Sequence, residues 1–294
     1  MCARITRSPL LFDRKPLQHG KIALAPVVLK CGLMRISRVL VPFLFATLTL
    51  RAANLIYFND SDANRGLYNF NTLTGVATLR APMPGTLRFF GMDVRPVDGI
   101  VFAVDLSDNS GLYRININTG AFSLVGLTGV REMVGVAFNP FGGELFGLRG
   151  GGGLYSLNET TGKATFIGDT GIVDRGLAFS PSGELYGFTE QGALYRINPA
   201  TAHTTAVGGS GNNVSSISED AAFDAAGNLY GSDFGGGIYQ TDPISGNGAL
   251  IGLTHTDVLG MIAAPVPEPA VLELAAVAAI VCICRWAPAR ARLS

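Results

Sequence analysis

Gly176-Leu177-Ala178-Phe179-Ser180-Pro181-Ser182-Gly183-Glu184-Leu185-Tyr186-Gly187, followed by Ala193-Leu194-Tyr195-Arg196-Ile197-Asn198, is one copy of a recurring unit. Its second half returns as Gly66-Leu67-Tyr68-Asn69-Phe70-Asn71, Gly111-Leu112-Tyr113-Arg114-Ile115-Asn116, Gly153-Leu154-Tyr155-Ser156-Leu157-Asn158 and Gly237-Ile238-Tyr239-Gln240-Thr241-Asp242. A tyrosine period of 40 to 45 residues, built from short alternating runs, is the signature of a propeller blade. The 38 glycines and the period-two alternation exclude helical repeats of similar length.

Each unit reads as four strands. Gly176 to Ser180 is the small, apolar inner strand and Pro181-Ser182-Gly183 turns the chain. Glu184 to Phe188 is the second strand, Ala193 to Asn198 the third and Thr204 to Gly208 the fourth, after a loop at Pro199-Ala200-Thr201. The equivalent loops Asn118-Thr119-Gly120 and Thr160-Thr161-Gly162 end in glycine, which supplies the positive φ of a hairpin bulge. Leu185, Leu229, the repeated tyrosines and Phe138, Phe179 and Phe223 are the expected core. The first unit begins at a second strand, Asn54 to Phe58, whereas Val258 to Ile262 is an inner strand with no blade after it. Pairing the two gives an all-β propeller of five four-stranded blades, closed by a C-terminal inner strand, with units starting near Phe89, Met133, Asp174 and Glu219. The alternative of six blades requires a degenerate blade within Arg80 to Arg88, and nine residues are too few.

Both ends of the chain carry sorting features. Met34-Arg35-Ile36-Ser37-Arg38 is a basic start, Val39 to Leu50 an apolar run, and Ala52 and Ala53 a small-residue cleavage point, so residues 34–53 read as a secretory signal peptide. Residues 1–33 have no place in such a signal, which puts the expected translation start at Met34. At the far end, Pro267-Glu268-Pro269 is held extended by its prolines. An apolar run from Ala270 to Cys284 follows, and then Arg285, Arg290 and Arg292. Such a run suits a bilayer and the arginines its cytoplasmic side.

The tail, residues 266–294, resembles the PEP-CTERM sorting signal of Gram-negative bacteria. The resemblance implies export, transient anchoring in the inner membrane, processing by an exosortase-type enzyme at the Pro267-Glu268-Pro269 motif, and delivery to the cell surface or an exopolysaccharide (biofilm) matrix. Glu273 inside the run and the scattered arginines depart from the usual pattern. The repeats in turn resemble exported bacterial propellers with blades of the form G-L-A-F-x-P-x-G-x-L-Y-G and L-Y-x-I-N-x-x-T-G, carried here by Gly176 to Gly187 and Leu112 to Gly120. That likeness implies the fold and leaves function open.

Between the ends, residues 54–265 hold 10 Lys and Arg against 19 Asp and Glu, a net charge of 10 − 19 = −9. An acidic domain lacks the footprint for DNA or RNA, so nucleic acid is rejected as a partner. Cys2, Cys31, Cys282 and Cys284 all lie outside this stretch, which excludes a disulfide, a thiolate metal site and a cysteine nucleophile within it.

A propeller's ligand site lies where the loops leading into the inner strands meet the loops between second and third strands. The first set carries Arg88, Arg131 with Glu132, Asp174 with Arg175, Glu219 with Asp220, and His255 with Asp257. Arginine forks and carboxylates around a concave mouth suit sugar hydroxyls or uronic acids. Asp60, Asp62 and Asn64 match the first half of a calcium loop, but Arg65 stands at the glycine position and Asn71 at that of the bidentate glutamate. His203 sits in a hairpin connection and His255 alone at the rim, so neither makes a metal cluster or a Ser-His-Asp set. No cofactor is expected. Three readings remain: a non-enzymatic binding module for polysaccharide; a glycosidase or lyase using Asp93, Glu219 and Asp220; or a structural element of the envelope. The absence of a catalytic motif weighs against the enzyme.

Overall fold

The computed structural model describes residues 54–61, 64–172, 174–208, 219–254 and 256–264. The two sorting segments, with Pro267, Glu268 and Pro269, lie outside the described residues, as do Asp62 and His255. The expected five blades are present. The chain opens with β1 (Asn54–Asn59), β2 (Gly66–Asn71) and β3 (Val76–Pro82). A second sheet comprises β4 (Phe89–Val94), β5 (Val101–Asp105), β6 (Gly111–Ile115) and β7 (Phe122–Leu127). The third holds β8 (Met133–Phe138), β9 (Leu145–Arg149), β10 (Gly153–Leu157) and β11 (Ala164–Asp169). The fourth holds β12 (Asp174–Phe179), β13 (Leu185–Thr189), β14 (Leu194–Ile197) and β15 (Thr204–Ala206). The fifth holds β16 (Ala221–Phe223), β17 (Leu229–Ser232), β18 (Gly237–Thr241) and β19 (Gly248–Leu253). The last strand, β20 (Gly260–Ala263), pairs antiparallel with β1, Tyr57 facing Met261, and completes the first blade. The inner strands β4, β8, β12, β16 and β20 touch in sequence around the axis, and β20 touches β4, so the ring is closed. Among the described residues there is no helix long and apolar enough to cross a membrane.

The repeat motif has a physical cause at each position. Its terminal Asn or Asp accepts a hydrogen bond on the side-chain oxygen from the main-chain N–H two residues on: Leu73 for Asn71 at 2.9 Å, Asn118 for Asn116 at 3.0 Å, Thr160 for Asn158 at 3.0 Å, Ala200 for Asn198 at 2.9 Å and Ile244 for Asp242 at 2.9 Å. This Asx turn reverses the chain between third and fourth strands. It closes on a left-handed residue, Gly120 at φ 71° or Gly162 at φ 76°, and in the fourth blade on Ala202 at φ 61°. In four of the blades the pairing of third and fourth strands slips at the step into the tyrosine, at Leu67/Tyr68, Leu112/Tyr113, Leu154/Tyr155 and Ile238/Tyr239. Such bulges raise the local twist.

Packing between blades falls on the residue before the tyrosine. Leu67, Leu112, Leu154, Leu194 and Ile238 are all buried, with Leu185 and Leu229 beside them. The tyrosines themselves, read from the sequence as core, are half-buried except Tyr113. They still pack against the core clusters: Tyr68 stacks on Tyr57 at 5.4 Å, Tyr155 meets Phe166 edge-on at 5.3 Å, and the Tyr239 hydroxyl donates to Asp233 at 2.7 Å.

Register aligns the five inner strands. Val94, Phe138, Phe179, Phe223 and Ala263 face equivalent second-strand residues, Val101, Leu145, Leu185, Leu229 and Leu55. Three positions earlier stand Gly91, Gly135, Gly176, Asp220 and Gly260. The inner strands approach so closely here that a Cβ on Gly91 would fall 2.5 Å from the Gly135 Cα, and one on Gly176 2.7 Å from the Asp220 carbonyl carbon. Only Asp220 interrupts this glycine ring.

Candidate functional site

The mouth forms as the repeat requires. Each inner strand starts at the end of the ring to which the second-to-third loop returns, so the two sets of loops hydrogen-bond to one another. The Glu132 N–H donates to the Ser107 carbonyl at 3.2 Å, Gly150 to Glu132 at 2.9 Å, Leu106 to Arg88 at 3.3 Å and Glu219 to Ser232 at 2.7 Å.

A cleft of about 300 Å³ opens on this face between the second, third and fourth blades, bounded by Ser107, Asp108, Glu132, Gly150, Arg175 and Glu190. Arg175 places Nε at 3.1 Å and Nη2 at 2.7 Å from one Glu190 oxygen, with its guanidinium 5.5 Å from the centre of the Phe234 ring. Glu132 holds φ at 54°, a left-handed backbone that a side chain rarely adopts. Strain of this kind persists where surrounding structure imposes it, and it gathers at binding sites. Two clefts of about 500 Å³ lie away from the axis. One runs along Arg114 and Phe122; the other, around Pro96 and Phe141, holds the Arg95–Glu159 pair at 2.7 Å but is built chiefly from the loops between first and second strands, away from the mouth.

The remaining residues expected at the rim lie in four different settings. Arg131 projects outward with 64% of its side chain exposed, pairing with Asp108 at 3.1 Å and Glu132 at 3.3 Å. Arg88 bonds Asp60 across the junction of the first and second blades and lies 5.3 Å from the centre of the Phe90 ring. Asp257 stands near this pair, and burial together with the Asp60 charge raises its carboxyl above the usual range. Asp174 keeps its place on β12, but its side chain lies outside the described residues.

Glu219 and Asp220 are not rim residues: both are fully buried. Neither Glu219 carboxylate oxygen has a hydrogen-bond partner, and burial pushes its carboxyl up to about 8, with Arg175 pulling the other way. Asp220 enters the axial shaft, where its Oδ2 accepts from the Met261 N–H of β20 at 2.7 Å and the Ala221 and Met92 N–H groups face the carboxylate, while Oδ1 makes no hydrogen bond of ordinary geometry. Burial raises this carboxyl well above 3.8. Asp93, two positions further down β4, spans to the third blade, taking the Phe138 N–H at 2.7 Å on Oδ2 and its neighbour Val94 at 2.7 Å on Oδ1. It retains some accessible surface in the channel, yet the surrounding protein desolvates it enough to raise its carboxyl to about 7.

The partial calcium loop is used otherwise. Asp60 is committed to Arg88, and the Asn64 carbonyl accepts from the Tyr68 hydroxyl at 2.8 Å. Among the described residues no three His, Cys, Asp or Glu side chains gather as a metal cage. Sequence reasoning missed Glu190, Phe234 and Asp108, which sit in second-to-third loops with no motif of their own. It also missed the axial position of Asp220, although the signal was present: aligned repeats carry glycine there.

No family model matches the chain, and no curated protein matches it. Solved structures are similar to it in fold. A protein from the nidogen/laminin complex matches at 13% identity and a TM-score of 0.52, over 71% of this chain and 97% of that one. A Bacteroides thetaiotaomicron protein of unknown function matches at 14% identity and 0.46, over 69% and 59%. Virginiamycin B lyase from Staphylococcus aureus matches at 10% identity and 0.41, over 68% and 69%. At such identities the likeness is one of architecture, and the chain is a five-bladed β-propeller.

Proposed function

We propose that this protein is an exported, surface- or matrix-associated propeller that binds polysaccharide at its mouth without altering it. The observation that carries the reading is the cleft in which Arg175 and Glu190 are held together beside Ser107, Asp108 and Glu132. A fixed guanidinium–carboxylate pair offers donors and acceptors side by side, which is what vicinal hydroxyls need. Asp108, Glu132 and Glu190 outnumber Arg175 as charges there, so a neutral, hydroxyl-rich polymer suits the cleft better than a polyuronate. A glycosidase needs two carboxyls about 5 to 9.5 Å apart with a sugar between them. Glu219 and Asp220 are fully buried, which speaks against that use.

Binding to exopolysaccharide from the producing cells is the test. Arg175→Ala is expected to weaken it at least tenfold; because Arg175 also packs on Phe234 and pairs with Glu190, Glu190→Gln, which keeps the side-chain shape, is measured beside it with the melting temperature of each. Wild-type protein that fails to bind would transfer the weight to a structural role.

Export rests on the two sorting segments. Glu268→Ala is expected to leave the protein unprocessed in the inner membrane, as read by fractionation and mass. Normal release of that variant would remove exosortase sorting from the reading.

A further inference from the structure

We propose that the axial shaft of the propeller is a calcium site, in which Asp220 and Asp93 close the two ends of a ring of main-chain carbonyls. Asp220 is fully buried; its Oδ2 accepts from the Met261 N–H at 2.7 Å and the N–H groups of Ala221 and Met92 face the carboxylate, while Oδ1 makes no hydrogen bond of ordinary geometry. It stands where the other four blades carry Gly91, Gly135, Gly176 and Gly260, so the side chain is a deliberate intrusion upon the axis.

Strand register supplies the remaining ligands. The main-chain N–H groups of Arg95, Asn139, Ser180, Asp224 and Ala264 pair with the strand or turn that follows the inner strand or, for Ala264, with Asn54 of β1. In an antiparallel ladder bonding alternates, so the residues one and three positions earlier point both N–H and C=O away from their partner strand. Those residues are Val94, Phe138, Phe179, Phe223 and Ala263, and Met92, Val136, Leu177, Ala221 and Met261. Their direction is visible in the bonds that Met261, Phe138 and Val94 make to the axial carboxylates. Accordingly five inward carbonyls, from Met92 through Met261, lie between the level of Asp220 and that of Asp93.

Five carbonyls and two carboxylates make seven oxygens, within the six to eight that calcium takes at about 2.3 to 2.6 Å. Asp220 and Asp93 stand two residues apart in strand register, an offset of about 6.6 Å along the axis. One ion with bonds of about 2.4 Å to each side bridges that offset once the width of a carboxylate is counted. The ion's two positive charges match the two carboxylates. The N–H groups already bonded to Oδ2 of each aspartate act as the outer shell that fixes ligand direction. An all-oxygen set without imidazole or thiolate suits calcium rather than zinc.

The test uses the full chain in detergent, stripped with a chelator and titrated with calcium chloride at pH 7.5 by calorimetry and thermal melting. Wild type is expected to bind one ion per chain and to melt several degrees higher when loaded. Asp220→Gly restores the residue of the other blades and should fold, yet lose the site; Asp93→Asn should weaken binding at least tenfold. A tenfold excess of magnesium should displace little. Folded wild type that takes up no calcium at millimolar concentration overturns the proposal, as does Asp220→Gly binding like wild type, which would place the ion on surface carboxylates.

Discussion

A chain that stops before Val258 is expected to lose its cooperative melting transition and to aggregate. The segment from Val258 to Ala263 supplies the inner strand of the first blade, and without it β1 keeps an unpaired edge along Leu55 to Phe58. It also buries Val258, Leu259, Met261 and Ile262, each 0 to 1% exposed. At about 1.5 to 3 kcal/mol for each such side chain, the loss is roughly 6 to 12 kcal/mol. That is comparable with the whole stability of a typical domain, about 5 to 15 kcal/mol. The contacts of β20 with β4 and β16 vanish at the same time, so the ring opens on both sides. An open, flat edge beside apolar strands is a template for pairing with other chains. Calorimetry and size-exclusion chromatography against a chain ending at Ala264 isolate the strand from the tail. A soluble truncated protein melting in one transition near the control would refute closure by this strand.

The architecture was legible because the repeat states it several times, whereas the site was legible only in part. Inner strands begin at Phe89, Met133 and Asp174, as the period predicts, and the fifth at Ala221, with Glu219 and Asp220 already bonded to Ser232 ahead of it. The closing strand runs from Gly260, two residues after the apolar run starts, and the Leu259 N–H just ahead of it already donates to the Phe58 carbonyl at 3.1 Å. Side-chain direction at the mouth was hidden, since it depends on which neighbour wins each charge. Arg131 is drawn outward by Asp108, Asp60 is taken by Arg88, and Arg175 turns to Glu190, a residue no pattern marks. The tyrosines mark the period yet only cover the packing, and the leucines before them carry it. What identifies Asp220 is its failure to match the other blades.

Stability should fall as pH rises from about 4.5 to 8 in the presence of a chelator, which is unusual for an acidic protein held mainly by packing. Asp93 moves from 3.8 to about 7, Glu219 from 4.5 to about 8, and Asp220 well above 3.8, in each case first through burial. Each group therefore binds its proton more tightly in the folded chain than in the unfolded one. For such a group the stabilising contribution is complete below the unfolded value and is lost as pH climbs towards the folded value. The exposed aspartates Asp98 and Asp242 are shifted the other way, but their titration is finished at the bottom of this window. At about 1.4 kcal/mol for each pH unit crossed, one group such as Asp93 removes on the order of 4 kcal/mol by pH 8. Glu219 and Asp220 act in the same direction, so the chelated protein is expected to melt lower at pH 8 than at pH 5. Asp220→Asn removes one of the three acids and offers an amide to the same N–H donors. It should flatten the profile and overtake wild type at pH 8 in chelator, while added calcium should favour wild type alone. A melting temperature constant from pH 5 to 8 in chelator would mean that these carboxyls reach water, and that the shaft is wetter than its burial implies.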